Sequence, residues 1–337
     1  MPFIKSIQVF NSVAIVGTAK NTGKTTCLNY VIERLYSEKK NIALTSIGVD
    51  GEERDVLYDT PKPRIVLHEG MLFVTSKKDF EQREFPAKLL SVSERGTPLG
   101  HLVTARATGS GKMVLSGPSD SLWLQQMIAE MPKYGVQLTI VDGALSRMSL
   151  ASPAVTDAMI LCTGVACCPQ LPELIHKTKF RCQLIDLEQV SSDLQKQLQS
   201  LENGVWIQNE NSGIWTKLGN SVFTLENLTE NTLKNMQNLY VSGAVTDVLF
   251  KMLNMRKNQQ LRLIVGDFTK LFINAFTYDK FIRNGGQINV LQKAKLLAVC
   301  TNPTSPEGVR LNPAMLREKM QEALDLPVYD IVEEMNK

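Results

Sequence analysis

Hydrophobic and polar positions along the chain change period repeatedly, and each change predicts an element. A β-branched run from Val13 to Val16 gives way to a turn-rich loop, Gly17 to Gly23. Lys24, Thr25 and Thr26 then open a helix with Leu28, Val31, Ile32 and Leu35 on one face. Asn41 to Ile47 reads as a second strand, ending in Gly48-Val49-Asp50-Gly51-Glu52. Residues 64–76 read as strand, turn, strand, the pattern of a hairpin. The segment 77–97 is charged and predicted partly helical, and 101–119 is predicted as two strands about a turn at Gly109 to Lys112. Ser119 to Met131 carries a helical pattern, with Leu122, Leu124, Met127 and Ile128 apolar. Val136 to Val141 is a β-rich run closed by Asp142-Gly143, Ala158 to Thr163 predicts a further strand, and Leu184 to Leu187 a short one.

From about residue 190 the texture changes. SSDLQKQLQSLENG is polar and Gln-rich, predicting a surface helix or linker. A hairpin-like GVWIQNENSGIWTKL follows, then strands at 239–241, 261–265, 287–291 and 295–299, and a helix over 245–255. Strands joined by helices predict an α/β protein built on a doubly wound, mostly parallel sheet, with a second α/β section. The expected units are 1–188 and 189–337.

The first strand, loop and helix also carry the chemistry. Backbone N–H groups of such a loop, backed by a helix N-terminus, cradle phosphate oxygens. The residues expected around the phosphates are Gly17, Thr18, Lys20, Asn21, Thr22, Gly23, Lys24, Thr25 and Thr26. Lys24 would reach the β- and γ-phosphates, and the Thr25 hydroxyl would hold Mg²⁺. Asp142, at the end of an apolar strand downstream, fits the acid that binds a water on Mg²⁺. Asp50, after the second strand, is the expected partner that orders the metal or the attacking water, with Asp55 as second choice and a plain Asp-Gly turn as the alternative. Ser146 and Arg147 could face a γ-phosphate or cap the next helix. Gly109-Ser110-Gly111-Lys112 imitates a phosphate loop, but the strand residues Met113, Val114 and Leu115 follow it, where a helix would be needed.

Five residues separate Gly17 from Gly23, where the usual phosphate loop has four. This longer GTxxxxGKT form resembles the dethiobiotin synthetase type of P-loop, in the wider group with cobyrinate amidases and MinD/ParA ATPases. The MinD branch carries a signature lysine five residues before the P-loop lysine. Here Ala19 holds that position, and Lys20 reads instead as an extra phosphate-facing or solvated charge. No Asn-Lys-x-Asp tetrapeptide is present, which favours ATP over GTP.

Composition narrows the classes. With 37 basic and 34 acidic side chains the formal charge is +3, and no basic stripe interleaved with aromatics points to nucleic acid. No window approaches 18 consecutive apolar residues, and the first residues lack the pattern of a secretory signal, so a cytoplasmic protein without a membrane span is expected. Six cysteines show no CxxC pair. Cys162, Cys167, Cys168 and Cys182 lie close in sequence, but reduced thiols are favoured over a metal site.

The runs TSIGVDGE (45–52), TPLG (97–100), SGPS (116–119) and VDGALSRMSLASP (141–153), read with the phosphate loop, resemble the P-loop accessory subunits encoded beside lysine 5,6-aminomutase in lysine-fermenting bacteria. The resemblance spans roughly residues 10–165. It implies a P-loop NTPase-like fold and a reactivase of the adenosylcobalamin-dependent mutase, working with a MutS-like ATPase subunit. Lys24, Thr25, Asp50 and Asp142 would then form an Mg·ATP site, and 189–337 would dock on partners; self-association into a homodimer stays open. Two other readings compete: an ATP-dependent ligase or kinase acting on a small carboxylic acid, and a module that binds nucleotide without hydrolysing it. A glutamine-using amidase is disfavoured, because His176 is the last histidine and none follows Cys300.

Overall fold

The run SVAIVG becomes β1 (Ser12–Gly17), buried at every position. A strand with no exposed face needs strands on both sides and cover above and below, which is the setting of a parallel sheet. The computed structural model provides it, and describes residues 2–47, 64–144, 152, 154–209, 213–222, 236–253 and 260–335.

The described chain begins with α1 (Pro2–Ile7), β1 and α2 (Lys24–Ser37). It continues through β2 (Ile42–Ser46), β3 (Ile65–Leu67), β4 (Leu72–Ser76), α3 (Lys77–Glu81), β5 (Ala87–Thr97), β6 (Gly100–Ala107) and β7 (Gly111–Met113). Then come α4 (Ser121–Glu130), β8 (Leu138–Ala144), β9 (Ala158–Gly164), α5 (Leu171–Ile185) and α6 (Ser192–Gln199). The last third holds β10 (Val205–Asn209), β11 (Trp215–Gly219), β12 (Met236–Val241), β13 (Val245–Thr246), α7 (Asp247–Leu253), β14 (Arg262–Val265) and β15 (Leu271–Phe272). It closes with α8 (Ala275–Arg283), β16 (Gln287–Val290), β17 (Leu296–Asn302), α9 (Pro313–Ala323), β18 (Val328–Asp330) and α10 (Ile331–Met335).

The chain divides into two compact units, Met1–Lys179 with Lys295–Lys337, and Phe180–Ala294. The first is built on a nine-stranded sheet in the order β18-β17-β9-β1-β8-β2-β4-β6-β5. Every pairing from β18 to β4 is parallel; β4–β6 and β6–β5 are antiparallel. Alternate residues face opposite sides. Ile42, Leu44 and Ile140 join the α2 face, with Leu28, Val31, Ile32 and Leu35. Ala43 and Val141 join the other face, with Trp123, Leu124 and Met127 of α4. Asp120 caps α4, its side chain accepting from Trp123 N at 2.8 Å.

The second unit carries a five-stranded sheet, β11-β10-β12-β14-β16. Its β10–β11 hairpin is the one read from GVWIQNENSGIWTKL, and β12–β14 and β14–β16 are parallel. Val190, Leu198, Trp215, Tyr240, Ile264 and Leu291 pack as its core. Among the described residues no helix is long and apolar enough to cross a membrane.

Segment 77–97 is partly helical as expected, over α3, and most of the remainder is the edge strand β5, whose ladder comes from β6. Three expectations are corrected. The two expected hairpins exchange partners: β3 pairs with β7, and β4 pairs with β2 and β6. Leu184 and Ile185 end α5 and start no strand, because Leu174, Thr178, Cys182 and Ile185 are buried at helical spacing. Finally, 295–337 does not belong with 189–294: β17 pairs in parallel with β9 and extends the first sheet.

Candidate functional site

The parallel strands of the large sheet all end on one edge. β1 sits where the connections turn outward in both directions, the place where open α/β sheets bind ligands. The Gly17–Gly23 loop leaves β1 there. Thr18 N donates to Cys162 O of β9 at 2.8 Å. Thr18 Oγ1 donates to Thr163 Oγ1 at 3.2 Å, and the Thr163 hydroxyl bonds to Thr178 Oγ1 at 3.0 Å. Thr22 is buried and donates from Oγ1 to Ala19 O at 3.0 Å, closing the loop on itself. Gly17 permits that closure, since a Cβ there would stand 2.7 Å from Thr22 Oγ1.

At the far end of the loop Asn21 and Gly23 take left-handed backbone, φ 61° and 83°. The Asn302 side chain from the end of β17 holds this turn, donating from Nδ2 to Asn21 O at 3.0 Å. Gly23 precedes α2 and offers no side-chain cap. The first N–H groups of a 14-residue helix therefore have no capping side chain, at its partly positive end. Lys24, Thr25 and Thr26 form the first turn, and Lys20 is exposed on the loop.

Asp142 lies in β8, level with Ile15 of β1 and Ser46 of β2. Its carboxylate Oδ1 is 2.9 Å from Lys24 Nζ, and both side chains are largely shielded, 16% and 24% exposed. Oδ1 is buried and takes this ion pair without an aligned hydrogen bond. The Ser46 hydroxyl donates to the Asp142 backbone carbonyl at 3.2 Å. Gly117 of the SGPS run lies against this strand end, and a Cβ there would fall 1.7 Å from Ser46 O. Of the residues read from the sequence, Asp50, Asp55, Ser146 and Arg147 lie outside the described residues.

A loop of backbone amides with an ammonium suits an anion, and the neighbouring carboxylate suits a cation accompanying it. Asn302, Thr163 and Ser46 also support this loop or its acid. None was singled out as a site residue, although Ser46 lies in the TSIGVDGE run and Cys300-Thr301-Asn302-Pro303 reads from the sequence as a polar turn at a strand end, either a base-contacting loop or a plain turn.

The cysteines are grouped differently from their spacing. Among the described residues, Cys27 of α2, Cys162 of β9 and Cys300 of β17 converge, with Cys27 Sγ 3.6 Å from Cys300 Sγ. Cys167, Cys168 and Cys182 do not join them. Hydrogen bonds from Cys27 and then Cys300 lower the Cys162 thiol against the effect of burial, while the Cys27 and Cys300 thiols are raised. Burial pushes Cys182 up to about 12.

No family model, curated protein or solved structure matches this chain.

Proposed function

We propose that the chain is an Mg·ATP-binding P-loop ATPase with a P-loop NTPase-like first unit, serving as an accessory reactivase of the adenosylcobalamin-dependent lysine 5,6-aminomutase together with a MutS-like ATPase subunit. The observation that carries the nucleotide reading is the contact between Lys24 and Asp142, 2.9 Å apart beside an uncapped helix N-terminus at the ends of parallel strands. The mutase assignment rests on the sequence runs over 45–52, 97–100, 116–119 and 141–153 and on nothing in the geometry.

The residues fit the ligand. Gly17 lets the loop close on the Thr22 hydroxyl and Gly23 takes the left-handed turn beside Asn302, giving the tight glycine-bounded turn that phosphate-cradling loops use. Lys24 supplies the cation for the β- and γ-phosphates, and Thr25 with Asp142 supplies oxygen donors for Mg²⁺. Among the described residues the buried Asp142 oxygen has no aligned donor, as expected of a group whose fuller partners arrive with the ligand. Magnesium, when bound, neutralises charge on the phosphates. In the absence of nucleotide Lys24 and Asp142 neutralise each other. Binding exchanges that contact for ligand contacts on both sides, so loop order is linked to nucleotide state and to affinity for a partner.

The test is ATP binding and turnover by the full chain, alone, with purified mutase, and with a panel of small carboxylic acids. Lys24→Ala should weaken ATP binding about 10–100-fold, the loss of one charge-assisted phosphate contact of roughly 1.5–3 kcal/mol. Turnover raised by the mutase, with release of damaged cofactor, supports the reactivase. Turnover that requires a carboxylic acid assigns a ligase or kinase instead, and tight binding with no turnover in any mixture assigns a nucleotide sensor. Unchanged ATP affinity in Lys24→Ala rejects the site.

A further inference from the structure

Beneath the nucleotide loop lies a feature that the ATPase reading does not use. Cys27, Cys162 and Cys300 come from one helix and two strands, far apart in sequence, and their sulfurs all lie within 4.8 Å of one another. Cys162 and Cys300 are register partners across β9 and β17, so their side chains stand on the same face of the sheet. Cys27, one turn into α2, is lowered onto that face. All three are closed off from solvent, at 0, 0 and 2% exposure.

We propose that these three residues form a three-thiolate site for one thiophilic d¹⁰ cation. A metal–sulfur bond of about 2.3 Å places the sulfurs of a tetrahedral or trigonal site about 3.8–4.0 Å apart. The observed sulfur separations, 3.6 Å for one pair and none above 4.8 Å, bracket that spacing. Three separate backbone elements converge to make it, so the sulfurs are held by the fold before any ion arrives. An iron–sulfur cluster requires its thiolates much farther apart and does not fit.

The site is also chemically selective. Soft thiolates favour monovalent copper and zinc over magnesium or calcium, so it would not compete for the nucleotide's own metal. Among the described residues no fourth histidine, cysteine or carboxylate joins the group. A structural zinc takes four ligands, whereas three sulfurs complete the shell of a monovalent copper ion, so copper(I) is the favoured occupant. Binding displaces thiol protons, so affinity should rise with pH. The inference does not depend on the ATPase reading, since no ligand in it belongs to the phosphate loop.

The experiment uses the full reduced chain under anaerobic conditions. Copper(I) is offered against a bathocuproine chelator, zinc(II) is offered in parallel against a chromophoric chelator, and X-ray absorption is recorded on the metal that binds. One equivalent per chain with three sulfur neighbours is expected for copper. Zinc with three sulfurs plus one lighter atom supports the same site with the other occupant. Cys27→Ser, Cys162→Ser and Cys300→Ser should each weaken binding at least about tenfold, and a Cys167→Ser/Cys168→Ser/Cys182→Ser variant should bind as the parent does. The X-ray measurement on the unaltered chain needs no variant, so a serine chain that fails to fold leaves the test intact. Fewer than three sulfur neighbours, or affinity unchanged by the three serine substitutions, would overturn the proposal.

Discussion

Lys24 and Asp142 come together because their strand and helix both begin or end at the same edge of the sheet, and their mutual attraction is strengthened by partial burial. A double-mutant cycle with Lys24→Met and Asp142→Asn should return a coupling of roughly 0.5–3 kcal/mol in urea melts without nucleotide. Additive effects would mean that the pair does not form in solution. Gly23 tests a different property. Its φ of 83° and a Cβ position 3.1 Å from Asn302 Cβ combine backbone strain with crowding. Gly70 has a similar φ of 89° with nothing within 4 Å, so it carries the strain alone. Gly70→Ala should cost about 1–2 kcal/mol, and Gly23→Ala measurably more. Equal losses on thermal melting would show that Asn302 yields freely.

At the scale of elements, the loop is held at its start and its end from one side of β1, by β9 through the Thr18 amide and by β17 through Asn302. Asn302 also accepts from the Thr304 amide at 3.2 Å and its hydroxyl at 3.0 Å, which fixes the side chain toward Asn21. Asn302→Ala should remove about 0.5–1.5 kcal/mol for each lost hydrogen bond. Hydrogen exchange should accelerate at the amides of the turn ending in Gly23, with little change in the second unit. Exchange unchanged at that turn would remove Asn302 from its support. The strand, loop and helix from Val13 to Leu35 were legible because one local pattern states all three: a β-branched run, turn residues, then helical spacing. The strand ends bearing Asp142 and Cys162 were legible for the same reason. Asn302 as a clamp was not, because nothing near it in sequence records that β17 returns to lie beside β9. The cysteine cluster was hidden likewise: closeness in sequence grouped Cys162 with Cys167, Cys168 and Cys182, while strand register sets Cys162 beside Cys300 and α2 brings Cys27 to them. Pairing of β3 with β7 and of β4 with β6 shows the same limit, since local turn signals cannot say which of several short strands will meet.

For the whole molecule, the return of the chain matters more than the change of texture near residue 190. Composition changes near residue 190, whereas the second unit begins at Phe180, and only contacts reveal that the first unit is completed by residues at the other end of the sequence. Ala298 and Cys300 of β17 and Ile331 of α10 are buried in the same cluster as Phe3, Ile15, Leu28 and Ile32. Removing residues 295–337 opens one side of β9 and takes away the buried Val299, Leu316, Met320, Val328 and Ile331, side chains worth about 1.5–3 kcal/mol each when fully buried. That loss is comparable to the entire stability of an ordinary domain, about 5–15 kcal/mol. A fragment ending at residue 188 should therefore lack a cooperative thermal transition and expose apolar surface to dye, although it contains the whole Gly17–Gly23 loop and Asp142. The full chain should melt cooperatively, and alanine at both Ala298's neighbour Val299 and at Ile331 should lower its first-unit transition by about 3–7 kcal/mol, given the 0% and 3% exposure of those side chains. If the 1–188 fragment melts as sharply as the full chain, β17 is an accessory edge and the first unit ends where the sequence texture changes.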